Sequence, residues 1–414
     1  MSMSMKGVVM FTEEDRCCYE LKLCGVPVYL RVIAALIQGG VREIVCVNAP
    51  SRVKSALGDG RELNARVTYL DSAARVEGLG DAVLLEASTI IDVALVRAAS
   101  TFKEDTVVLD EKSGGKVWVL RKASARLEGK SAGELPVILG ELEKSSLKRV
   151  SVREIAFMDP ELKREVEPLC VKIRDPLDAR EVKKLLVKRA GKRLHITSRV
   201  NTVIEDRVVE MLCEHSWVTP NRVTLLVDLL AFMVAFFILQ ASLPLALVAA
   251  YLVGVLDGVD GKLARVRFPS KVGSLEHSFD ALYEQTWYAF LAWRLFVDTG
   301  SHLPLMLGFA FLVVDTFVRH VYMQFKMTMG IPLTAYSRFD RAFAAIDGRR
   351  NVYLIYFLVS SLLGQPLCGL LAALAHALIT ATFYSLRALK HARNVDKASG
   401  LSRLLELSKS TRKD

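Results

Sequence analysis

Residues 223–240 have the sequence VTLLVDLLAFMVAFFILQ, and residues 242–256 have the sequence SLPLALVAAYLVGVL. The first stretch carries a single charge, Asp228, and the second carries none. A helix needs about 20 largely apolar residues to cross a bilayer. Both stretches approach that length with their flanks, so the sequence predicts two successive transmembrane helices after Pro220.

Four further apolar stretches follow these two. They occupy residues 282–297, 303–318, 352–364 and 366–386. Several of them reach the length of a membrane span only with their polar flanks. We therefore predict an all-α domain of six transmembrane helices over residues 219–390, followed by a basic cytoplasmic tail over residues 391–414.

The loops between these stretches differ in positive charge. The connections near 240–243, 298–302 and 364–366 contain no Lys or Arg. The other two loops are basic, and their cations are Lys262, Arg265, Arg267, Lys271, Arg319, Lys326, Arg338, Arg341, Arg349 and Arg350. Lys and Arg concentrate in cytoplasmic loops. The sequence therefore predicts an integral, multi-pass protein of the cell membrane with both termini in the cytoplasm.

The first 150 residues have a different pattern, in which short apolar runs alternate with amphipathic segments. The runs occupy residues 7–11, 43–48, 66–70, 81–86, 106–110 and 116–120. A helical pattern, PVYLRVIAALIQGG, separates the first two runs and ends at Gly39 and Gly40. Strands that alternate with helices are typical of an α/β sheet covered on both faces. Residues 1–150 are therefore predicted to form a Rossmann-like cytoplasmic domain.

Residues 151–218 are predicted to be a polar, largely helical connection. Seven basic residues and no acidic one lie between residues 182 and 199. Apolar residues then recur at helical spacing from Val200 to Leu212. Such a pattern next to a membrane domain indicates a basic linker and an amphipathic helix lying at the membrane surface.

The composition agrees with a chain of two unlike parts. Its 414 residues are 52% hydrophobic and 24% charged, with a formal charge of +10. This combination excludes a disordered chain and argues against one uniform globular domain. Since the excess of cations follows the predicted topology and no matching motif is present, nucleic acid is not an expected partner. The seven scattered cysteines are expected to be reduced thiols, and the N-terminus does not resemble a signal peptide.

Acidic residues recur at helical spacing around the second apolar stretch. On a helix, Asp257, Asp260, Gly261 and Ala264 share one face, and Gly273, Glu276 and Asp280 share another. Four carboxylates at the edge of a membrane repel one another unless divalent cations lie between them. Oxygen ligands favour Mg²⁺ or Mn²⁺. The alternative is a set of helix-end acids solvated at the membrane surface.

These residues resemble the signature of the CDP-alcohol phosphatidyltransferase family, D-x2-D-G-x2-A-R-x8-G-x3-D-x3-D. Asp257, Asp260, Gly261, Ala264, Arg265, Gly273 and Asp280 match it in type. Seven residues separate Arg265 from Gly273, two residues separate Gly273 from the next acid, and that acid is Glu276. Thr219-Pro220-Asn221 resembles the start of the family's first helix. The resemblance covers roughly residues 197–390.

The resemblance implies a reaction and roles for residues. A phospho-alcohol would pass from a CDP-linked donor to an acceptor hydroxyl with release of CMP. Asp257, Asp260, Glu276 and Asp280 would hold two ions of Mg²⁺ or Mn²⁺, and Asp280 would also act as the base. The CDP group would lie at Thr219, Asn221, Asp257, Gly261, Ala264 and Gly273. Candidates to hold an acceptor phosphate are Lys271, Arg319, Arg338 and Arg350.

The N-terminal half has a resemblance of its own. Residues 23–47, from Leu-Cys-Gly-Val-Pro to Ile-Val-Cys-Val, resemble the first helix and second strand of sugar nucleotidyltransferases. The combined chain resembles an archaeal fusion of inositol-phosphate cytidylyltransferase with di-myo-inositol-phosphate-phosphate synthase. However, Phe11-Thr-Glu-Glu-Asp-Arg16 stands where that family has a glycine-rich phosphate loop, and Ala87-Ser88 stands where it has a metal-binding Asp. We therefore predict a nucleotidyltransferase-like domain without catalytic activity.

The sequence leaves several alternatives open. The donor could be CDP-diacylglycerol, as in phospholipid synthesis, or a CDP-polyol, and the acceptor could be an alcohol or a phosphorylated alcohol such as an inositol phosphate. Membrane lipid is an expected partner, and a homodimer is allowed. A six-helix transporter that uses the acids as an ion site is one different function. A catalytically impaired membrane scaffold is another.

Overall fold

The computed structural model describes residues 5–121, 124–145, 147–155, 157–159, 164–191, 195–267 and 276–398. The chain forms two compact units. Unit 1 consists of Met1–Asp159, Glu165–Arg189 and Cys213–Ser216, and unit 2 consists of Pro160–Arg164, Ala190–Leu212 and Trp217–Asp414. Residues 151–218, predicted as a linker, are thus divided between the two units.

Unit 1 is built on strands and short helices. The strands are β1 (Lys6–Met10), β2 (Lys22–Leu23), β3 (Val26–Pro27), β4 (Glu43–Val47), β5 (Arg66–Leu70), β6 (Ala82–Glu86), β7 (Thr89–Ile91), β8 (Thr106–Asp110), β9 (Gly115–Leu120), β10 (Lys148–Ser151), β11 (Phe157–Asp159), β12 (Arg164–Val166) and β13 (Cys170–Lys172). The helices are α1 (Arg16–Tyr19), α2 (Val28–Gln38), α3 (Ser51–Leu57), α4 (Val93–Thr101), α5 (Ser124–Leu127), α6 (Leu135–Ser145) and α7 (Pro176–Arg189).

Seven of the strands form one sheet in the order β10-β8-β9-β6-β1-β4-β5. Strand β1 is parallel to β4 and β6, β4 is parallel to β5, and β8 is parallel to β10. Only β9 among these seven runs antiparallel to its neighbours, β6 and β8. Apolar side chains of both sheet faces are buried, including Val8 and Val9, because helices cover both faces. The predicted α/β domain is confirmed.

Unit 2 is helical. Its helices are α8 (Ile196–Leu212), α9 (Pro220–Gln240), α10 (Leu243–Arg267), α11 (Glu276–Thr299), α12 (Leu303–Met329), α13 (Leu333–Tyr336), α14 (Arg338–Phe343), α15 (Arg350–Leu362) and α16 (Pro366–Ala398). Helix α9 packs on α10 and α11, α12 packs on α11 and α16, and α15 packs on α10 and α16. These contacts close a ring of six helices, which correspond to the six predicted apolar stretches.

The six helices differ in their fitness to cross a membrane. Within the described residues, α9, α10, α12 and α16 are long and apolar enough to do so. Helix α15 has 13 residues, well below the ~20 that a span needs. Helix α11 has 24 residues but carries Asp280, Glu284, Arg294 and Asp298. Four candidate spans are compatible with a membrane protein, and the arrangement with six spans stays a prediction.

Aromatic side chains fill the middle of this ring. Tyr288 of α11 contacts Phe311 of α12 and Tyr353 of α15, Tyr283 contacts Trp287 on α11, and all five rings are buried. The Trp287 indole N–H donates to the carbonyl oxygen of Ala231 on α9 at 2.8 Å. The acidic residues of α10 and α11 are therefore held by helices whose packing leaves little freedom.

One part of the predicted connection departs from expectation and another follows it. Residues 157–172, predicted to be helical, contain β11, β12 and β13 instead. Strand β13 pairs antiparallel with β7, some 80 residues earlier, and such a distant partner leaves no periodic signal in a three-residue strand. Helix α8 does follow the predicted spacing. Its Val200, Val203 and Met211 are exposed, which fits a helix that lies at a membrane surface.

Candidate functional site

The C-terminal half of α10 presents Asp257 and Asp260 to the neighbouring helices. Asp260 is 1% exposed, and its Oδ2 accepts a hydrogen bond from Thr224 Oγ1 of α9 at 2.7 Å. The Gly261 backbone N–H also donates to the Asp260 carboxylate. Thr224 lies one turn inside α9, whose start is fixed by Pro220 and by Thr219 as the N-cap. The threonine-proline start of α9 thus positions the hydroxyl group that holds Asp260.

Asp257 is held by a cation from another helix. Its Oδ2 lies 2.5 Å from Nη2 of Arg350, the first residue of α15. The same guanidinium lies 3.0 Å from Glu284 Oε1 and donates to the Tyr283 hydroxyl, both on α11. Only 12% of the Arg350 side chain is exposed. One arginine therefore joins α10, α11 and α15 at a group of carboxylates that we call the acidic face, formed by Asp228, Asp257, Asp260 and Glu284.

Asp228 is an acidic neighbour that sequence reasoning did not select. It lies on α9 one turn after Thr224, and its charge acts on that of Asp257. Its Oδ1 is buried and has no hydrogen-bond partner among the described residues. Burial without a partner costs about 1–3 kcal/mol for a polar group and more for a charge. The signal in the sequence was the single charge within residues 223–240.

The acids predicted on α11 are described only in part. Glu276 is the first residue of that helix, but its side chain lies outside the described residues, as do Lys271 and Gly273. Asp280 is half-buried, and the charges of Asp257, Asp280 and Glu284 all act on the Tyr283 hydroxyl. Asp280 and Glu284 therefore both lie near Tyr283 on the N-terminal part of α11, and Arg350 joins Glu284 to Asp257 of α10.

The candidates for an acceptor phosphate have different surroundings. Arg319 of α12 is bound by two carboxylates, since its Nη2 pairs with Glu284 and its Nε lies 2.9 Å from Asp315 Oδ2. Arg338 is exposed at the start of α14. Arg350 is the candidate in direct contact with a predicted metal ligand, Asp257.

The remaining donor-site residues lie along α9 and α10. Asn221 is exposed in the first turn of α9, whereas Gly261 and Ala264 are half-buried on the same face of α10 as Asp257. A Cβ atom added to Gly261 would come within 3.3 Å of Arg265 Nη1. The Arg265 Nε donates to the carbonyl oxygen of Ala190 at 2.7 Å, so this arginine braces the end of α10 against the preceding chain.

A buried lysine attaches α8 to the same stretch of α10. Lys262 is fully buried, and its Nζ lies 2.8 Å from Glu205 Oε2 and 2.7 Å from Asp206 Oδ1. Asn201, one turn earlier on α8, accepts a hydrogen bond from the Tyr251 hydroxyl at 2.7 Å. Helix α8 therefore presents polar side chains to α10, while Val200, Val203, Ile204 and Met211 are exposed.

The donor set of the acidic face fits a hard divalent cation. It consists of carboxylate oxygens, which Mg²⁺ and Mn²⁺ prefer, and the buried Oδ1 of Asp228 has a charge without a described partner. No three of these acids bring their oxygens within 4.8 Å of one another in the part of the chain that is described. Arg350 supplies the positive charge at Asp257 instead.

Unit 1 has a cluster of charged and polar side chains at the acidic stretch after β1. Asp15, within the acidic stretch after β1, accepts a hydrogen bond from Ser88 Oγ at 2.9 Å. The Lys172 Nζ lies 2.7 Å from Glu86 and 3.4 Å from Asp15. Although burial opposes it, the bond to Glu86 and the charge of Asp15 raise the pKa of Lys172. One ammonium faces two carboxylates, so the cluster keeps a net negative charge and offers little attraction to a triphosphate.

Comparison with known proteins found a relative that is similar to part of the chain. No family model matches the chain. The chain is 35% identical over 123 residues to the bifunctional IPC transferase and DIPP synthase of Thermococcus kodakarensis. This alignment covers 28% of the present chain and 28% of that relative, so it spans under a third of the relative's length.

Solved structures resemble part of the chain at low identity. One is a putative glucose-1-phosphate thymidylyltransferase from Bacillus anthracis in complex with a sucrose, with 15% identity and a TM-score of 0.32 over 44% of this chain and 94% of that one. Another is the inositol-1-phosphate CTP transferase from T. maritima, with 12% identity and a TM-score of 0.30 over 43% of this chain and 93% of that one.

The buried lysine of α10 generates a prediction about stability. Lys262→Met leaves Glu205 and Asp206 without their cation, and removing one partner of a buried ion pair costs about 3–5 kcal/mol. We expect a lower thermal unfolding temperature for the purified protein in detergent. Adding Glu205→Gln and Asp206→Asn should restore most of the loss. Lys326→Met, at an exposed lysine of α12, is the matched control, and an equal loss in both variants would contradict the pairing.

Proposed function

We propose that the protein is an integral membrane CDP-alcohol phosphotransferase, which moves a phospho-alcohol from a CDP-linked donor to an acceptor hydroxyl and releases CMP. The observation that carries this proposal is the acidic face itself. Asp257 and Asp260 of α10 lie with Asp228 of α9, and the charges of Asp257 and Asp280 converge on Tyr283. The partial relative, described as an IPC transferase and DIPP synthase, supports the same class of reaction.

The acids have distinct proposed roles. Asp257, Asp260, Glu276 and Asp280 would hold two ions of Mg²⁺ or Mn²⁺, which when bound would stabilise the negative charge of a pyrophosphate. Thr224 holds the Asp260 carboxylate in place by its hydrogen bond at 2.7 Å. Asp280, half-buried on α11, would accept the proton of the attacking hydroxyl.

Arg350 is the proposed contact for an anionic acceptor. It lies between Asp257 and Glu284, at the meeting point of three helices. A guanidinium binds phosphate through two parallel hydrogen bonds, whereas a single Lys ammonium acts as a point charge. An acceptor that carries a phosphate, such as an inositol phosphate, would therefore be held next to the proposed base Asp280.

The donor and its route belong to the same proposal. CDP would contact Thr219, Asn221, Asp257, Gly261, Ala264 and Gly273. The four long apolar helices suit a protein of the cell membrane, and we propose six spans with both termini in the cytoplasm. A CDP-diacylglycerol donor would keep its chains in lipid, and a CDP-polyol would enter from water.

The ion pair at Asp257 also supports a second candidate, a catalytically impaired membrane scaffold. In that case Arg350 would replace the metal permanently, and the acids would serve the packing of α10, α11 and α15. The two candidates differ in whether the acids are needed for CMP release.

The acidic residues give the first functional prediction. Asp257→Asn, Asp260→Asn and Asp280→Asn should each lower CMP release from CDP-alcohols by at least about 100-fold, because a lost ligand removes several kcal/mol of charge stabilisation. Glu276→Asp should keep or raise activity. Asp298→Asn is the matched control, since Asp298 lies at the other end of α11 in an ion pair with Arg294. Wild-type turnover in any of the first three variants would refute the assignment.

The net negative cluster of Asp15, Glu86 and Lys172 in unit 1 gives the second functional prediction. We expect no release of pyrophosphate from CTP and alcohol phosphates, because Lys172 is engaged by Glu86 and Asp15. The full chain with Asp260→Asn, in which the membrane site is silenced, is incubated with Mg²⁺, CTP and inositol phosphate. Steady pyrophosphate release above a blank without protein would show an active nucleotidyltransferase.

The proposed membrane topology gives the third functional prediction. The end of α10 and the segment around Lys271 should face the cytoplasm, because this part of the chain is rich in Lys and Arg. In oriented vesicles, Ser270→Cys on a background with the seven native cysteines replaced should react with an impermeant thiol reagent from the cytoplasmic side alone. CDP with Mg²⁺ should protect it. Labelling from the outer side would reverse the proposed topology.

A further inference from the structure

Two cysteines far apart in sequence meet inside unit 1. Cys24 belongs to the turn between β2 and β3, and Cys213 follows the last residue of α8. Both side chains are fully buried, and their thiol groups form a hydrogen bond. The proposed phosphotransfer site does not use either residue. Cys46 of β4 is also buried, but its raised pKa comes from burial and not from another thiol.

The backbone at Cys24 is unusual for a side chain of this kind. Cys24 has a φ of +50° and Gly25 has a φ of +76°, and together they form the two-residue turn of the β2–β3 hairpin. Such turns favour Asn-Gly or Asp-Gly, since other residues rarely adopt the left-handed conformation. A cysteine at this position therefore needs support from its surroundings.

That support comes from the residue next to Cys213. The Glu214 carboxylate accepts hydrogen bonds from the backbone N–H groups of Cys24 and Gly25, each at 3.2 Å. The Glu214 Oε1 also lies 3.1 Å from Lys183 Nζ of α7. These bonds hold the segment of Cys213 against the hairpin turn without any covalent link, so the two sulfur atoms are positioned in advance.

Lys183 brings a positive charge to the two sulfur atoms. Its charge acts on both Cys213 and Cys24 as well as on Glu214. The hydrogen bond to Cys213 and burial raise the pKa of Cys24 far above its usual range. The Cys24 thiol is therefore protonated at neutral pH, and the Lys183 ammonium nearby favours the small thiolate fraction that can react.

We infer that Cys24 and Cys213 form a reversible disulfide by exchange with a small-molecule disulfide such as oxidised glutathione. One thiol loses its proton and attacks a sulfur of the oxidant, which releases one thiol molecule. The second cysteine then attacks the mixed disulfide, and a second thiol molecule leaves with its proton. The two cysteines are oxidised by two electrons and the small disulfide is reduced by two.

The alternative occupant of this cluster is a metal ion. The Cys24, Cys213 and Glu214 ligand atoms all lie within 4.8 Å of one another. A structural zinc site needs four ligands, and the Glu214 oxygens already accept two backbone N–H groups and face Lys183. A disulfide requires only the two sulfur atoms, and for this reason we favour it.

The test uses the full chain purified in detergent and equilibrated with oxidised and reduced glutathione in varied ratio. After alkylation and digestion with trypsin, mass spectrometry should find residues 23–31 linked to residues 208–222, since cleavage follows Lys22, Arg31, Arg207 and Arg222. Dithiothreitol should remove the link. Oxidation should also raise the thermal unfolding temperature by roughly 5 °C or more, because the link closes a long loop.

Matched variants separate the pair from the other thiols. Cys24→Ser and Cys213→Ser should each abolish the linked peptides and the rise in unfolding temperature, whereas Cys46→Ser, at a buried cysteine of β4, should keep both. Wild-type protein in which only the exposed Cys17 and Cys368 react with the oxidant would overturn the inference. Zinc bound at one ion per chain and lost in both variants would also overturn it, in favour of a metal site.

Discussion

Compensation of charge within an apolar helix bundle is the constraint on which this structure depends. Moving a charged side chain out of water without a partner costs several kcal/mol of desolvation free energy. Arg350 meets this constraint for Asp257 and Glu284, and Arg319 does so for Glu284 and Asp315. These pairs join α10, α11, α12 and α15 where their packing is otherwise aromatic and aliphatic. The same ion pairs therefore neutralise the acidic residues and hold the helices together. A cation bound to these acids would have to share them with Arg350.

Much of the fold could be predicted because its strands and helices carry periodic patterns. The six apolar runs of the first 150 residues correspond to β1, β4, β5, β6, β8 and β9, and the six later stretches correspond to the ring of helices. Prediction was wrong for residues 157–172, where β11 and β12 pair with each other and the three-residue β13 pairs with the distant β7. The number of spans stays a prediction, because α15 is short and α11 carries charges along its length.

The candidate site was predictable in part for a related reason. Asp257 and Asp260 share a helix face by spacing alone, whereas Asp228 joins them only because Thr224 and Asp228 of α9 face α10. The sequence offered four basic residues for an anionic acceptor, and only the packing of α15 on α10 distinguishes Arg350. Likewise, nothing in the spacing of Cys24 and Cys213 indicates that they meet. A single sequence does not show which residues of distant helices come into contact in the fold.

The proposal of metal-assisted phosphotransfer is tested most directly with the wild-type protein. Purified protein in detergent is incubated with CDP-diacylglycerol or with CDP-polyols, with and without phosphorylated acceptors, and CMP is quantified by chromatography. We predict CMP release from at least one donor that requires Mg²⁺ or Mn²⁺ and stops when the cation is chelated. Absence of CMP from every donor in folded protein with both cations present, or release that is unaffected by chelation, would contradict the account.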